Sequence, residues 1–467
     1  MSQQPTTLMW FRDDLRLADN PALESAMASG QVTALFILDE ESTGIRQLGG
    51  AARWWLHHGL EALSRDLDSI GVPLQLHRGP AAIILPGVMK AEGASEVHWN
   101  RRYGGPERTV DTTVKELVQA AGATAHSHSG SLLHEPWVPQ TQDGRPFKVF
   151  TPFYNAVQRL QLRPALGEPS AQLPPPPPAK QHAGDNLAQW RLLPSKPDWS
   201  RGLAQAWTPG ERGAHERLQR VLEEVAGDYG EGRNRPDLDG TSRLSPALRW
   251  GHLSPVQVWE SLSATISAHP EQAEGARAMM RQLVWRDFCW NLLYHHPALP
   301  TRNLRPEFDV FDWAWPVQAP DHDASEEHLV QELAAWRGGE TGFGMVDAGM
   351  QQLWQTGWMH NRVRMVTASF LVKNLGIHWR IGEEWFWDTL VDADAASNPA
   401  NWQWVAGCGA DASPFFRVFN PELQAKKFDP RGSYVSRFAP MPSPEPVVDL
   451  KISRAAALES YARMKQH

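Results

Sequence analysis

Thr7-Leu8-Met9-Trp10-Phe11-Arg12-Asp13-Asp14-Leu15-Arg16 is the stretch on which the fold turns. Its first five residues read as a short apolar strand and the charged run after them as a turn. Working outward, Asn20-Pro21-Ala22-Leu23 reads as helix, and a second strand is predicted at Val32 to Leu38. A helix from about Ala51 to Ser69, a strand at Val72 to His77, a helix near Ala81 to Glu92, a strand at Glu96 to Asn100 and a helix near Val110 to Ala121 continue the alternation. Strands separated by helices form a parallel sheet with crossover connections, so residues 1–133 are assigned a Rossmann-like α/β domain.

The alternation stops near Leu133. From Pro136 to Ser200 the chain is rich in Pro, Gln and Gly, with five consecutive prolines at Pro174 to Pro178. That composition reads as a long, partly extended surface connector, and 134–205 is assigned as an interdomain linker. Helical periodicity then dominates: Glu211 to Ala226, Pro255 to Ala268, Gln272 to His295, Glu326 to Arg337, Val346 to Trp354 and Met359 to Leu375. Residues 206–467 are therefore assigned an all-α domain.

A chain of 467 residues, 42% hydrophobic and 21% charged, has ample material for two or three cores, and its net charge of -8 excludes a globally basic nucleic-acid binder. A local basic groove stays compatible with that total. Cys289 and Cys408 are too few and too isolated for a disulfide framework or a thiolate metal site, which fits a reducing cytoplasm. No leader-like start and no run of eighteen apolar residues is present, so the protein is expected to be soluble, with no membrane partner. The oddity is 22 tryptophans against 6 tyrosines.

Signatures for a dinucleotide loop, a P-loop, a zinc protease helix and a nucleophile elbow are absent, and no metal is expected. Chemistry concentrates in three clusters instead. Gly240-Thr241-Ser242-Arg243-Leu244-Ser245-Pro246 sets three hydroxyls and a cation before a helix, either a phosphate cradle or a helix cap with a surface arginine. Trp358-Met359-His360-Asn361-Arg362-Val363-Arg364-Met365 opens a helix with Asn361 and Met365 four apart on one face, either a pocket wall or a buried helix with a snorkelling arginine. Asp392-Ala393-Asp394-Ala395-Ala396-Ser397-Asn398-Pro399 runs on to Trp402-Gln403-Trp404, small residues and hydrogen-bonding side chains suited to a heteroaromatic edge or to a structural loop.

Together these clusters make the chain similar to the photolyase and cryptochrome family. The resemblance runs from Trp10-Phe11-Arg12-Asp13-Asp14-Leu15-Arg16 to Phe428-Asp429-Pro430 and is densest through Thr341-Gly342-Phe343-Gly344-Met345-Val346-Asp347, Gly357-Trp358-Met359-His360-Asn361-Arg362, Trp402-Gln403-Trp404 and Phe419-Asn420-Pro421. It implies FAD held in the helical domain. Tyr229, Thr241, Ser242, Leu244 and Ser245 are implied to hold its phosphates and ribose. Trp358, Arg364, Asp392, Asp394 and Asn398 are implied to border the flavin, with Arg364 and Asp392 paired and Asn398 at N5.

The resemblance further implies an enzyme of the deoxyribodipyrimidine photo-lyase type. Light excites the reduced flavin, an electron reaches a cyclobutane pyrimidine dimer in UV-damaged DNA, the ring splits and the electron returns. Gln282, Trp285, Asn361 and Met365 are implied to line the lesion cavity, with Trp404 as a second flat wall. Arg233, Arg286 and Arg362 are implied DNA or lesion contacts. A tryptophan relay to the oxidised flavin is implied through Trp402 and Trp379 to Trp313 or Trp315.

Gln282 stands where dimer photolyases usually carry Glu, as in (6-4) enzymes, whereas Asn361 and Met365 stand where (6-4) enzymes carry His. A cryptochrome-like photoreceptor is the main alternative and a (6-4) photolyase the lesser one. The family also implies an antenna pigment, methenyltetrahydrofolate in preference to a deazaflavin, near Trp54-Trp55, Trp99-Asn100-Arg101-Arg102-Tyr103 and Glu107. The protein is expected to act as a monomer.

Overall fold

The computed structural model describes residues 5–170, 184–314, 327–412, 416–439 and 441–466. Five parallel strands, β1 (Thr6–Phe11), β2 (Gln31–Leu38), β3 (Leu74–Arg78), β4 (Ala94–Asn100) and β5 (Thr124–His128), lie in the order β3-β2-β1-β4-β5. The helices α1 (Pro21–Ser29), α2 (Gly50–Ser69), α3 (Ala81–Glu92) and α4 (Gly105–Ala120) supply the crossovers. β1 is apolar without alternation because both faces are covered. Met9 and Phe11 pack with Leu23, Trp54 and Leu56, whereas Leu8 and Trp10 pack with Leu85, Trp99 and Val114.

Two differences from the sequence reading stand out here. β5, Thr-Ala-His-Ser-His, is an edge strand with little apolar content and carries no strand signal. α4 begins at Gly105 rather than near Val110, because Gly104 is extended and Pro106 occupies the first turn.

The connector is less open than its composition suggests. Phe150–Val157 forms a helix whose Phe150, Phe153 and Val157 are buried against Phe288. The five prolines at 174–178 lie outside the described residues. Beyond the connector the elements are helical: Glu211–Arg220, Pro255–Ala268, Ala273–His295, Glu327–Gly338, Gly344–Thr356, Asn361–Ser369, Trp379–Thr389, Ser397–Ala406 and Leu450–Met464. The run read as one helix to Leu375 changes at Phe370–Asn374 into a π-helical turn. Among the described residues no helix is long and apolar enough to cross a membrane. Both cysteines are buried and unpaired.

Charged side chains fasten the sheet to the helices. Arg249 meets Asp13 at 2.7 Å, and Arg46 meets Glu383 at 2.8 and 3.0 Å. Asp287, on the helix Ala273–His295, accepts from the backbone N–H groups of Leu133 and His134 at 2.9 and 3.1 Å. Burial pushes its carboxyl up to about 7, against the opposing pull of Arg286 and those two N–H groups. The folded protein thus retains a proton that the unfolded chain releases near its ordinary value of about 4, so this group erodes stability as pH rises through that window. Asp287→Asn cannot ionise and keeps an accepting oxygen. It is expected to melt with the wild type near pH 4 and increasingly above it towards pH 8; a melting-temperature difference independent of pH would refute the assignment.

Candidate functional site

The turn before the short helix Ser245–Arg249 is held by its main chain. Arg217 donates to the carbonyls of Ser242 and Thr241, both at 2.8 Å, while the Ser242 hydroxyl accepts from the Leu244 N–H at 3.4 Å and keeps its own hydrogen to donate. Arg243 takes a left-handed φ of 50°, which turns the chain sharply between Ser242 and the buried Leu244. Ser245 accepts from Trp358 Nε1 at 3.4 Å, tying this turn to the second cluster. Tyr229 is buried beside Arg233, whose guanidinium lies 5.8 Å from its ring.

The helix Asn361–Ser369 starts at an unusual cap: His360 Nδ1 accepts from the Arg362 N–H at 3.1 Å. Burial, reinforced by Arg362, Arg364, Arg243 and Arg233, holds this imidazole down to about 3, so it stays neutral. Four guanidinium groups therefore converge here. Arg364 is neutralised by Asp392, at 2.8 and 3.1 Å, and also donates to the Met359 carbonyl at 2.8 Å. Arg243 faces Asp239 at 3.2 Å. Arg362 instead donates to Asn234 Oδ1 at 2.6 Å and lies 4.3 Å from the Phe428 ring, with Arg233 as a repelling neighbour. A pair of like charges with no carboxylate ion-paired to it among the described residues is suited to an anion.

In the third cluster Asp394 Oδ1 accepts from the N–H groups of Ala396 and Ser397 at 2.8 and 2.5 Å, starting the helix Ser397–Ala406. Asn398 gives its amide N–H₂ to Glu383, at 2.7 Å to Oε1 and 3.1 Å to the carbonyl. Glu383 is buried, and burial raises its carboxyl while Arg46 counters that rise. With the N–H₂ committed, Oδ1 is the atom that Asn398 presents.

The residues read as lesion-lining divide into two groups. Asn361 is exposed, with Nδ2 4.0 Å from the Met365 sulfur, so both side chains share one face as the spacing requires. Gln282 donates to the Ala278 carbonyl at 3.1 Å, which leaves its Oε1 unspent by that bond. Trp285 is half-buried and stacks on Phe150 at 3.5 Å and 6°, so the connector helix covers one ring face. Trp404 is half-buried. Arg286, read as a DNA or lesion contact, donates to the carbonyls of Ser131 and Leu248, at 2.7 and 3.2 Å, so much of its guanidinium is engaged within the fold.

Trp402 and Trp379 are buried, and Trp313 is half-exposed. A Cβ at Gly382 would meet the Trp402 ring at 2.2 Å, so the indole lies directly over that position, one turn from Trp379. His378 bridges outward, 5.6 Å from Trp379 and 4.8 Å from Trp313. Trp315 lies outside the described residues.

The antenna reading is only partly matched. Trp54, Trp55 and Trp99 are core, Asn100 is buried on Asp14 and Asn20, Arg101 turns to Ser127 and Glu135, and Tyr103 donates to Glu135. Arg102 and Glu107 do face a cavity between sheet and helices, beside Arg12, Asp39 and Trp387. An adjoining cavity of about 470 Å³ shares Glu107, Arg46 and Ala395 and reaches Glu383, the residue that holds Asn398.

The residues present fit FAD: turn hydroxyls that still have their own hydrogens to donate, an excess of guanidinium charge for two phosphates, and an oriented amide for a ring edge. Glu383, Arg46, Asn234 and Phe150 were not legible as site residues, since each acts across the fold without a local motif.

Residues 279–446 match the family described as the FAD binding domain of DNA photolyase, and residues 7–178 match DNA photolyase. The chain is 46% identical over 433 residues to the deoxyribodipyrimidine photo-lyase of Agrobacterium fabrum, covering 93% of this chain and 86% of that one. It belongs to the photolyase/cryptochrome family. Within the family it is also 34% identical over 445 residues to Cryptochrome-1 of Arabidopsis thaliana, covering 93% of this chain and 62% of the plant protein. The crystal structure of a bacterial class III photolyase from Agrobacterium tumefaciens superposes with a TM-score of 0.90 at 42% identity, over 100% of this chain and 99% of that one. The helical part is thus the FAD-binding domain of this family.

Proposed function

We propose that the protein repairs cyclobutane pyrimidine dimers in UV-damaged DNA under blue or near-UV light, working as a monomer. The observation that carries this reading is the pair of exposed Asn361 and half-buried Met365, an amide beside a polarisable thioether, next to Arg233 and Arg362. FAD, when bound and reduced, supplies the electron on illumination. Thr241, Ser242, Ser245, Leu244 and Tyr229 hold its phosphates and ribose, and Trp358, Arg364, Asp392, Asp394 and Asn398 border its ring. Asn398 faces N5 with its carbonyl oxygen, an acceptor with no proton to give, because Glu383 engages its amide hydrogens.

Trp285 and Trp404 are the flat walls for a dimer flipped from the duplex, Met365 lies under the bases, and Gln282 Oε1 accepts from a thymine imide. Arg233 and Arg362 take the flanking phosphates. Ring opening needs no nucleophile or metal. The division into 1–133, 134–205 and 206–467 belongs to the same proposal. The antenna site is the paired cavity at Arg102 and Glu107, occupied by methenyltetrahydrofolate or else a deazaflavin, where its wall at Glu383 keeps the pigment near Asn398.

Gln282 and the likeness to a plant cryptochrome favour one other reading, a photoreceptor without repair. Illumination of the photoreduced protein with an oligonucleotide bearing a thymine dimer separates the two. Restored thymines in light and none in the dark are expected. Normal flavin reduction with no repaired product would refute dimer repair and favour the photoreceptor reading.

A further inference from the structure

At the sheet edge, the parallel pairing of β4 with β5 sets His98 opposite His126 and Asn100 opposite His128, while Glu96 lies two residues before His98 on the same face. Glu96 Oε2 is 3.3 Å from His98 Nε2 and 3.7 Å from His126 Nε2, and the three atoms lie within 4.8 Å of one another. Bonds of about 2.0–2.1 Å to a tetrahedral zinc ion place its ligands roughly 3.3–3.4 Å apart, so the carboxylate already stands near ligand spacing from both imidazoles, whose own separation is within 4.8 Å. His128 Nε2 lies 3.1 Å from His98 Nδ1, the outer partner that fixes ring orientation in metal sites.

His98 is buried, while the Glu96 and His126 side chains are 34% and 41% exposed, so an ion enters from solvent and water can fill a fourth position. Two imidazoles and one carboxylate select zinc-class transition ions over Mg²⁺ or Ca²⁺.

We propose that Glu96, His98 and His126 bind one divalent zinc-class cation, with His128 as the positioning residue behind His98. The rings of His98 and His126 stack at 4.6 Å and 25°, so binding turns the exposed His126 ring until its lone pair points at the ion. The ion then clips the edge strand β5 to β4, which the flavin site does not require.

The test is calorimetric titration of ZnCl₂ into tag-free, chelator-stripped, flavin-loaded protein. One site of micromolar or tighter affinity is expected, together with a melting temperature raised by zinc. His126→Asn, exposed and therefore compatible with folding, is expected to weaken binding at least tenfold and abolish the zinc-induced shift. His58→Asn is expected to change neither, although His57, His58 and Glu61 form the second histidine and carboxylate cluster among the described residues. No bound zinc, full affinity in His126→Asn, or loss of binding in His58→Asn would each overturn the proposal.

Discussion

Asp392→Ala is expected to lower the flavin retained per protein at least tenfold, read as absorbance at 450 nm after gel filtration. Asp392 is buried and engages Arg364 through both of its oxygens. Removing one partner of a buried pair costs about 3–5 kcal/mol, and the 25% exposure of the Arg364 side chain puts this case at the low end. The larger consequence is electrostatic. Arg364 would join Arg233 and Arg362 beside His360 as another unneutralised cation, and its guanidinium would lose the geometry that holds it beside Trp358, 5.9 Å away. Asp392→Asn keeps one accepting oxygen and should retain an intermediate amount of flavin. Circular dichroism separates loss of the pigment from loss of the fold. Wild-type flavin content in a folded Asp392→Ala protein would remove the pair from the binding site.

Most of the architecture was legible because burial on both faces writes unbroken apolar runs into parallel strands. β1 and β2 are such runs, and the amphipathic helices between them carry a 3.6-residue period. β5 was not, since an edge strand whose side chains are histidine, serine and threonine has neither property. The connector helix Phe150–Val157 was hidden by the proline-rich composition around it, although Phe150, Phe153 and Val157 have the spacing of a buried helix face. Among site residues, Arg364 with Asp392 and Asn361 with Met365 followed from motif and spacing. Arg286 did not, because direction into the core at Ser131 and Leu248 depends on how the helix Ala273–His295 packs. Glu383 escaped for the same reason. Its partners Arg46 and Asn398 are 337 and 15 residues away, and only the folded chain brings them together.

Trp402→Phe is expected to slow photoreduction of oxidised flavin at least tenfold while repair by chemically reduced protein stays within about twofold of wild type. Trp402 and Asn398 are four apart on the helix Ser397–Ala406, so the indole projects from the face that carries the amide assigned to the flavin edge. The ring rests over Gly382 and meets Phe386 edge-on at 4.9 Å, a packed slot that fixes its distance to any group beside Asn398. Phenylalanine fills most of that slot, so fold and flavin binding should survive. It is much harder to oxidise than an indole, so the relay stops at its first step. In the proposed relay Trp379 and then Trp313 or Trp315 come later, with His378 between Trp379 and Trp313, and their replacement should slow photoreduction less. Repair starting from reduced flavin draws no electron from this route, which is why the two assays separate. Equal losses in both would mean that Trp402 shapes the flavin pocket and does not relay charge.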